Sequence, residues 1–439
     1  MQKEIAASVV ASVTASIAAA LLLWSCVTPT TPAIPHAATD TLTDAPLIKR
    51  GEYLAIAGDC IACHSTGHDQ PFAGGLPIKI PSVGTIHSSN ITPDAQTGIG
   101  DWTLEDFDRA VRQGVSKDGH HLYPAMPYPS YAKISDDDVK ALYAYFKHGV
   151  TPVRRAAETD TTPLKTRKLL ALWNGLFLDK KPYQIKTDQS LAWNRGAYLA
   201  QGLAHCGSCH TPRGLALQER ALDESGKGFL SGSSIDGWDG YNITSDLDSG
   251  IGRWTQAQLV QYLRSGSVPG LAQAAGLMGE AVQHSFSQMS ADDIDAIATY
   301  IRTVPAVSDG SKQPRHGWGN PANDATRLRG IALNATLDPA RLYLGNCASC
   351  HQAQGQGTTD GYYPSLLHNS TVGASKPDNL VQVILHGVHR ITPDNDAGMP
   401  AFAAVLSDAQ IAALSNYITA QFGNPAVKIS AEQVAKLRD

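Results

Sequence analysis

Cysteine, methionine and charge are all scarce in this chain. Of 439 residues, seven are cysteine, five are methionine, and 17% are charged. The net charge is −5 and no basic cluster stands out, which excludes the electrostatic footprint of a nucleic-acid binder. No Ser/His/Asp arrangement, phosphate-cradling loop or dinucleotide fingerprint occurs, so nothing points to hydrolytic or nucleotide chemistry.

The few cysteines carry the information. Six of the seven fall in three copies of one pentapeptide: Cys60-Ile61-Ala62-Cys63-His64, Cys206-Gly207-Ser208-Cys209-His210 and Cys347-Ala348-Ser349-Cys350-His351. Cys-x-x-Cys-His reads as a covalent haem attachment site. Two thiols on one helical turn can add to the two vinyl groups of a haem, and the adjacent His faces the iron as proximal ligand. A structural zinc site needs four ligands, and each copy, over 140 residues from the next, would have to find the rest elsewhere. A thioredoxin-like dithiol needs a βαβ setting and no His. Three copies imply three covalently bound haem c groups and a chain that moves electrons. The 39 Gly and 25 Pro suit a loop-rich protein wrapped around large apolar cofactors.

Ile5 to Trp24 runs twenty residues without a charge, after Lys3. It reads as a secretory signal peptide, although it is long enough to span a bilayer if retained. Leu23-Trp24-Ser25-Cys26 resembles a lipoprotein cleavage box, and cleavage further on, near Ala37-Ala38, would remove Cys26. All three outcomes place the chain outside the cytoplasm. Thr28 to Thr43, rich in Thr, Pro and Ala, reads as a flexible spacer.

An internal repeat organises the rest. Arg50-Gly51-Glu52-Tyr53-Leu54-Ala55 returns as Arg195-Gly196-Ala197-Tyr198-Leu199-Ala200. Asn90-Ile91-Thr92 returns as Asn242-Ile243-Thr244, and Gly98-Ile99-Gly100-Asp101-Trp102-Thr103 as Gly250-Ile251-Gly252-Arg253-Trp254-Thr255, both offset by 152 residues. Each motif-bearing segment shows the same helical order. A leading helix (Leu47 to Asp59, Leu191 to His205, Pro339 to Asn346) enters the motif. A middle helix ends at Gly114, Gly266 or Gly387, and a final helix starts at a Ser cap, Ser135, Ser290 or Ser407. Asp138, Asp293 and Gln410, three residues on, suggest capping boxes. The fold expected is therefore mostly α, with three tandem class I cytochrome c domains and long loops and linkers. Its parts are a leader and spacer at 1–46, domains at 47–150, 190–305 and 338–425, linkers at 151–189 and 306–337, and a tail at 426–439.

A haem iron with one His needs a sixth ligand, and thioether sulfur is the usual choice for electron transfer. Apart from Met1 the chain offers four methionines. Met126, Met278 and Met399 each stand 12 residues after the Gly that ends a middle helix, and Met126 to Met278 is again 152. Met289 has no counterpart and reads as core packing. The expected axial pairs are His64 with Met126, His210 with Met278, and His351 with Met399. Pro127 and Pro400 follow two of these methionines, whereas Gly279 follows Met278, so the second haem is the place to expect a looser sixth ligand. A multihaem peroxidase would need one open or His-replaced sixth position, which three in-register methionines argue against; no catalytic residue is assigned.

Other residues admit two readings. The indoles of Trp102 and Trp254 could reach a haem propionate or pack in the core. Arg213 could neutralise a propionate or be solvated. Leu169 to Leu178 is a ten-residue apolar stretch, too short to span a bilayer, which either packs between domains or stays exposed to dock a partner or touch lipid.

The chain from about Lys49 onward resembles the triheme cytochrome c subunits of bacterial membrane-bound dehydrogenases. The likeness is carried by Arg50 to His64, by Ser89-Asn90-Ile91-Thr92-Pro93, by Leu122-Tyr123-Pro124-Ala125-Met126-Pro127-Tyr128, by Trp193 to Leu199, by His205 to Arg213 and by Gly276 to Ser285. It implies a partner catalytic subunit (flavoprotein, quinoprotein or molybdoprotein), gluconate-type flavoproteins first, with alcohol, polyol or aldehyde as other substrates. It also implies delivery of electrons to ubiquinone at the periplasmic face of the inner membrane. A cytochrome subunit of a terminal oxidase is the other respiratory reading. The chain departs from the pattern in carrying Cys26 in a lipobox-like setting and in lacking a long hydrophobic C-terminal anchor; Ile429 to Asp439 reads as a short amphipathic helix.

Overall fold

Two glycines set the helix crossings on which the fold is built. The computed structural model describes residues 41–67, 69–80, 84–162, 164–322 and 338–438. In it, helix Ala45–Ala57 lies on Asp136–Ala144, and Leu191–Gln201 lies on Ala291–Ile301. A Cβ on Gly51 would stand 1.9 Å from the carbonyl oxygen of Ala141, and one on Gly196 would stand 1.9 Å from that of Ala296. The backbones touch, so a side chain at either position would force the pair apart. The third segment repeats the crossing with Pro339–Asn346 on Asp408–Phe422. There aromatic packing replaces backbone contact, Tyr343 meeting Tyr417 and Phe422 at ring separations of 5.6 and 5.1 Å. The leader, with Cys26, lies outside the described residues.

The chain is mostly helical, as the periodicity predicts, and the strands among the described residues form four two-stranded antiparallel hairpins. The middle helices run Leu104–Gln113, Gln256–Ser265 and Asp378–His386, each stopped at its glycine. Gly114 and Gly266 adopt φ of 62° and 69°, the left-handed turn that a residue without Cβ reaches at no steric cost. Ser135, Ser290 and Ser407 all cap their final helices by accepting from the backbone N–H three residues on. The capping boxes expected there form only at Ser407, where Gln410 reaches back. Asp138 and Asp293 are turned away to other partners.

Those partners join the first two repeats. Arg50 donates to Asp138 at 2.9 and 2.6 Å, and Arg195 donates to Asp293 at 2.7 and 2.8 Å. Across the boundary the tyrosines exchange: Tyr198 donates to Asp138 at 2.5 Å and Tyr53 donates to Asp293 at 2.5 Å. Each tyrosine hydroxyl also accepts from the capping serine's own N–H, Ser135 at 3.1 Å and Ser290 at 3.2 Å. A carboxylate that would otherwise finish its own helix start is spent on holding the neighbouring repeat. One apolar core, running from Leu54 to Val304, accordingly serves both repeats, while a second, from Ala322 to Val434, serves the third segment.

The start of each stretch read as a linker is tied down; residues 323–337 of the second lie outside the described residues. Asn90 accepts from the N–H and hydroxyl of Thr92 and donates to the carbonyl of Val153 at 2.8 Å. Asn242 does the same with Thr244 and Val307, at 2.6 Å to the carbonyl. The repeated Asn-Ile-Thr therefore fastens the chain leaving each repeat back onto that repeat. Leu169 to Leu178 lies largely on a helix, Leu164–Phe177, and divides between the two readings: Leu170 is buried while Leu169, Leu172 and Leu176 are exposed. The C-terminal helix Ala431–Arg438 docks through buried Val434, with Arg438 donating to Asp408 at 2.7 Å.

Candidate functional site

Each Cys-x-x-Cys-His motif sits on a short helix of its own: Cys60–His64, Cys206–His210 and Ala348–His351, the last starting one residue after Cys347. In the two repeats the residue before the first Cys, Asp59 or His205, takes the left-handed conformation (φ 49° and 33°) that breaks the leading helix and redirects the chain into the motif.

The histidines are set alike. Nδ1 of His64 meets the carbonyl of Ser89 at 2.7 Å, that of His210 the carbonyl of Tyr241 at 2.6 Å, and that of His351 the carbonyl of Pro364 at 2.8 Å. A carbonyl only accepts, so Nδ1 carries the proton and Nε2 keeps its lone pair, the state a metal-ligating imidazole needs. Burial lowers the pKa of all three rings and so favours the neutral form. Ser89 and Tyr241 immediately precede the Asn-Ile-Thr of each repeat, so the strap that ties down the following chain also places the carbonyl that orients the ring. The sequence showed the repeat of Asn-Ile-Thr but not this role, which depends on residues over sixty positions apart.

Burial pushes the thiols of Cys60, Cys206 and Cys347 up to about 12, and that of Cys63 to about 11. Among the described residues no group of three or more His, Cys, Asp or Glu could hold a metal ion.

The methionines fall in three local settings. Met126 lies in a turn, its carbonyl accepting from Tyr128 at 2.7 Å. Met278 lies on helix Gly276–His284, and Met399 closes strand Asp396–Met399, paired with Val388. Met126 and Met278 pack half-buried on the core that Cys60 and Cys206 also border, and Met399 packs on the core containing Cys347. Met289 is 4% exposed in the core of the repeats. Trp254 is buried against Tyr262 at 5.5 Å, and Trp102 is half-buried. Arg213 is held by the carbonyls of Ser208 and Leu217 and lies 3.7 Å from Glu219.

The first two motifs approach each other. Helix Gly276–His284 packs on motif helix Cys60–His64. Cys63 lies within electrostatic reach of Cys209. The Tyr131 ring meets that of His205 at 5.8 Å while its hydroxyl donates to the carbonyl of Gly58 at 3.0 Å. Burial, with Glu280 nearby, holds the Asp59 carboxyl well above its usual range.

Comparison with known proteins identifies the family. Residues 48–149 match the family model "Cytochrome c", and residues 334–418 match "Cytochrome C oxidase, cbb3-type, subunit III". The chain is 42% identical to the fructose dehydrogenase cytochrome subunit of Gluconobacter japonicus, over 92% of this chain and 85% of that protein. It is 43% identical to the gluconate 2-dehydrogenase cytochrome c subunit of Pantoea cypripedii, over 91% of each. The cytochrome c subunit of a quinone alcohol dehydrogenase from Gluconobacter oxydans is 41% identical over 90% of this chain and 83% of that protein.

Proposed function

This chain belongs to the cytochrome c subunits of fructose, gluconate and alcohol dehydrogenase complexes, as an electron-transfer subunit carrying covalently bound haem c, and from that premise we propose that it holds three haems. They are fixed by Cys60 and Cys63, Cys206 and Cys209, and Cys347 and Cys350, with axial pairs His64–Met126, His210–Met278 and His351–Met399. Each motif bears its own domain, at 47–150, 190–305 and 338–425. The observation that carries the reading is the threefold recurrence of one arrangement: a Cys pair on one short turn of helix, a His tied by Nδ1 to a backbone carbonyl, and a Met in register.

Haem c supplies a one-electron couple. The residues of this chain orient the imidazole through the carbonyls of Ser89, Tyr241 and Pro364. The closeness of the first two motifs gives electrons a route between them, from a dehydrogenase catalytic subunit toward ubiquinone, with a gluconate-type flavoprotein as the favoured partner. The cbb3-type match covers one motif-bearing segment, whereas the dehydrogenase cytochrome subunits match 90% or more of the chain, which favours a dehydrogenase partner over an oxidase.

The reading places the chain at the periplasmic face of the inner membrane. No helix among the described residues is long and apolar enough to cross a membrane. Helix Leu164–Phe177 instead offers Leu169, Leu172 and Leu176 at 65, 63 and 67% exposure, one to two turns apart on one face. Lys168, Lys180 and Lys181 flank them, also exposed. Trp173 donates to the carbonyl of Ala216 at 2.8 Å and so holds the helix beside exposed Leu215 and Leu217. Apolar side chains between cations fit an anionic lipid surface, into which such a helix lies in plane.

Two measurements test the reading. Denatured holoprotein should retain three haems per chain by mass, and replacing the Cys pair of any one motif with Ala should remove one. A count other than three refutes the assignment. Purification from native membranes should bring a flavoprotein, quinoprotein or molybdoprotein subunit; a copper–haem oxidase core in its place refutes the partner.

A further inference from the structure

Arg390 is 1% exposed, the largest fully buried side chain in the molecule's described part. It comes from strand Val388–Ile391 of the third segment, yet its surroundings belong to the second. It lies against Gly266, where an added Cβ would stand 2.6 Å from the guanidinium carbon. Its Nη1 donates to the carbonyl of Ala274, four residues before Met278. Its Nε and Nη2 have no hydrogen-bond partner, and it enters no ion pair among the described residues. The strand packs on helix Gly276–His284, which carries Met278. Two contacts fix it there: Ile391 N–H donates to Gln283 at 2.8 Å, and Arg264 lies 3.4 Å from Asp394.

A guanidinium cannot shed its proton under ordinary conditions. Buried without a carboxylate from the described residues, it loses hydration that no ion pair among them repays. A structural role would be met by an apolar side chain of the same length, since replacing a buried charge with a well-packed hydrophobe is often neutral or stabilising. The burial instead places a fixed positive charge in a low-dielectric region on the methionine side of the second motif, where its field is little screened. Among the described residues, Tyr262, on the middle helix between Trp254 and Gly266, lies within its electrostatic reach, and burial pushes that hydroxyl up to about 12, leaving it neutral. The first repeat differs: the position matching Tyr262 is Ala110, and among the described residues no buried arginine packs against its Met126 turn.

We propose that Arg390 is a positioning residue through which the third segment raises the reduction potential of the second haem, by holding a buried cation beside the Met278 face. Taking an electron removes one positive charge from the iron site, so a neighbouring cation favours the reduced form. The inference rests on the reading that Met278 closes the second site. It accounts for the grip of strand Val388–Ile391 on helix Gly276–His284, and it makes the third segment a determinant of where electrons settle in the second.

Potentiometric titration of the full triheme protein, followed by visible absorbance, tests it. Arg390→Gln keeps an N–H donor for the Ala274 carbonyl and removes the charge; Arg390→Met fills the volume and serves if the Gln variant does not accumulate. Either should lower one midpoint by about tenfold in the reduced-to-oxidised ratio, which is about 59 mV for one electron. The other two midpoints and the thioether-to-iron charge-transfer band should stay unchanged. Met278→His should move that same midpoint, which identifies it. Three unmoved midpoints in the Gln or Met variant overturn the proposal, as does loss of the thioether band, which would make Arg390 a mere prop for the ligand. A Met278→His variant that moves no midpoint refutes the ligand assignment instead.

Discussion

The exchanged tyrosines yield the sharpest test of how the two repeats are joined. Tyr198→Phe removes a hydroxyl that donates to Asp138 at 2.5 Å and accepts from the Ser135 N–H at 3.1 Å. The Asp138 side chain is 4% exposed, so water does not replace the lost donor freely. A hydrogen bond to a charged group contributes about 1.5–3 kcal/mol, and the hydroxyl-to-carboxylate bond here belongs in that range. Tyr53→Phe removes the matching bond to Asp293 at 2.5 Å. Because Arg50 is half exposed (52%), its bond to Asp138 adds little and the tyrosine carries most of the effect. The two trios are not independent. Arg195 pairs with Asp293 and also lies over the Tyr198 ring at 5.7 Å. The double variant should therefore depart from additivity by about 0.5–3 kcal/mol. Urea denaturation of the holoprotein, monitored by far-ultraviolet dichroism and haem absorbance, measures all three values. Two single variants within 0.5 kcal/mol of the parent, the usual span for inconsequential surface changes, would refute the view that this exchange joins the repeats.

Other consequences follow from the same contacts. Gly196→Ala should destabilise by about 3 kcal/mol or more, because its Cβ meets a backbone oxygen at 1.9 Å and not a yielding side chain; thermal melting checks it. Gly279→Ala has only ordinary contacts, the nearest at 3.7 Å on a helical residue, so it should be neutral or stabilise by up to about 1 kcal/mol without altering the second haem's spectrum. Leu172→Glu with Leu176→Glu should abolish flotation with anionic vesicles, since each leucine buried in lipid contributes about 1.5–3 kcal/mol; unchanged flotation together with lost binding to the dehydrogenase subunit would assign the face to protein. Burial raises the Asp293 carboxyl, but the Arg195 and Tyr53 hydrogen bonds outweigh it, so its folded pKa is depressed. Its stabilisation is present above the unfolded value near 4 and is lost as pH falls through the lower folded value; Asp293→Asn should flatten the acid limb of a stability profile.

Much was legible in the chain because the signals are local. The motifs, the glycine stops, the serine caps and the 12-residue spacing to Met126, Met278 and Met399 all lie within single segments, and the helices form where these signs place them. Where reading failed, a longer-range partner won. Asp138 and Asp293 sit three residues after their caps, as a box requires, but an arginine and a tyrosine from elsewhere in the chain offered a better bond than the cap's own N–H. Leu169 to Leu178 could not be assigned to core or surface by composition, because only the docking of Trp173 and Leu170 decides which leucines remain outside.

The sequence by itself determined what each segment is: a Cys pair and a His on one turn, a methionine at a fixed distance, and the helices between them. Tertiary structure alone decided what each segment does for another. The carbonyls of Ser89, Tyr241 and Pro364 that orient the histidines, the exchange of Tyr53 and Tyr198, and the burial of Arg390 against its neighbour join residues 13 to 240 positions apart. The physical reason is that a hydrogen bond or a buried charge depends on distance in space, and periodicity along a chain records only the first turn or two of it.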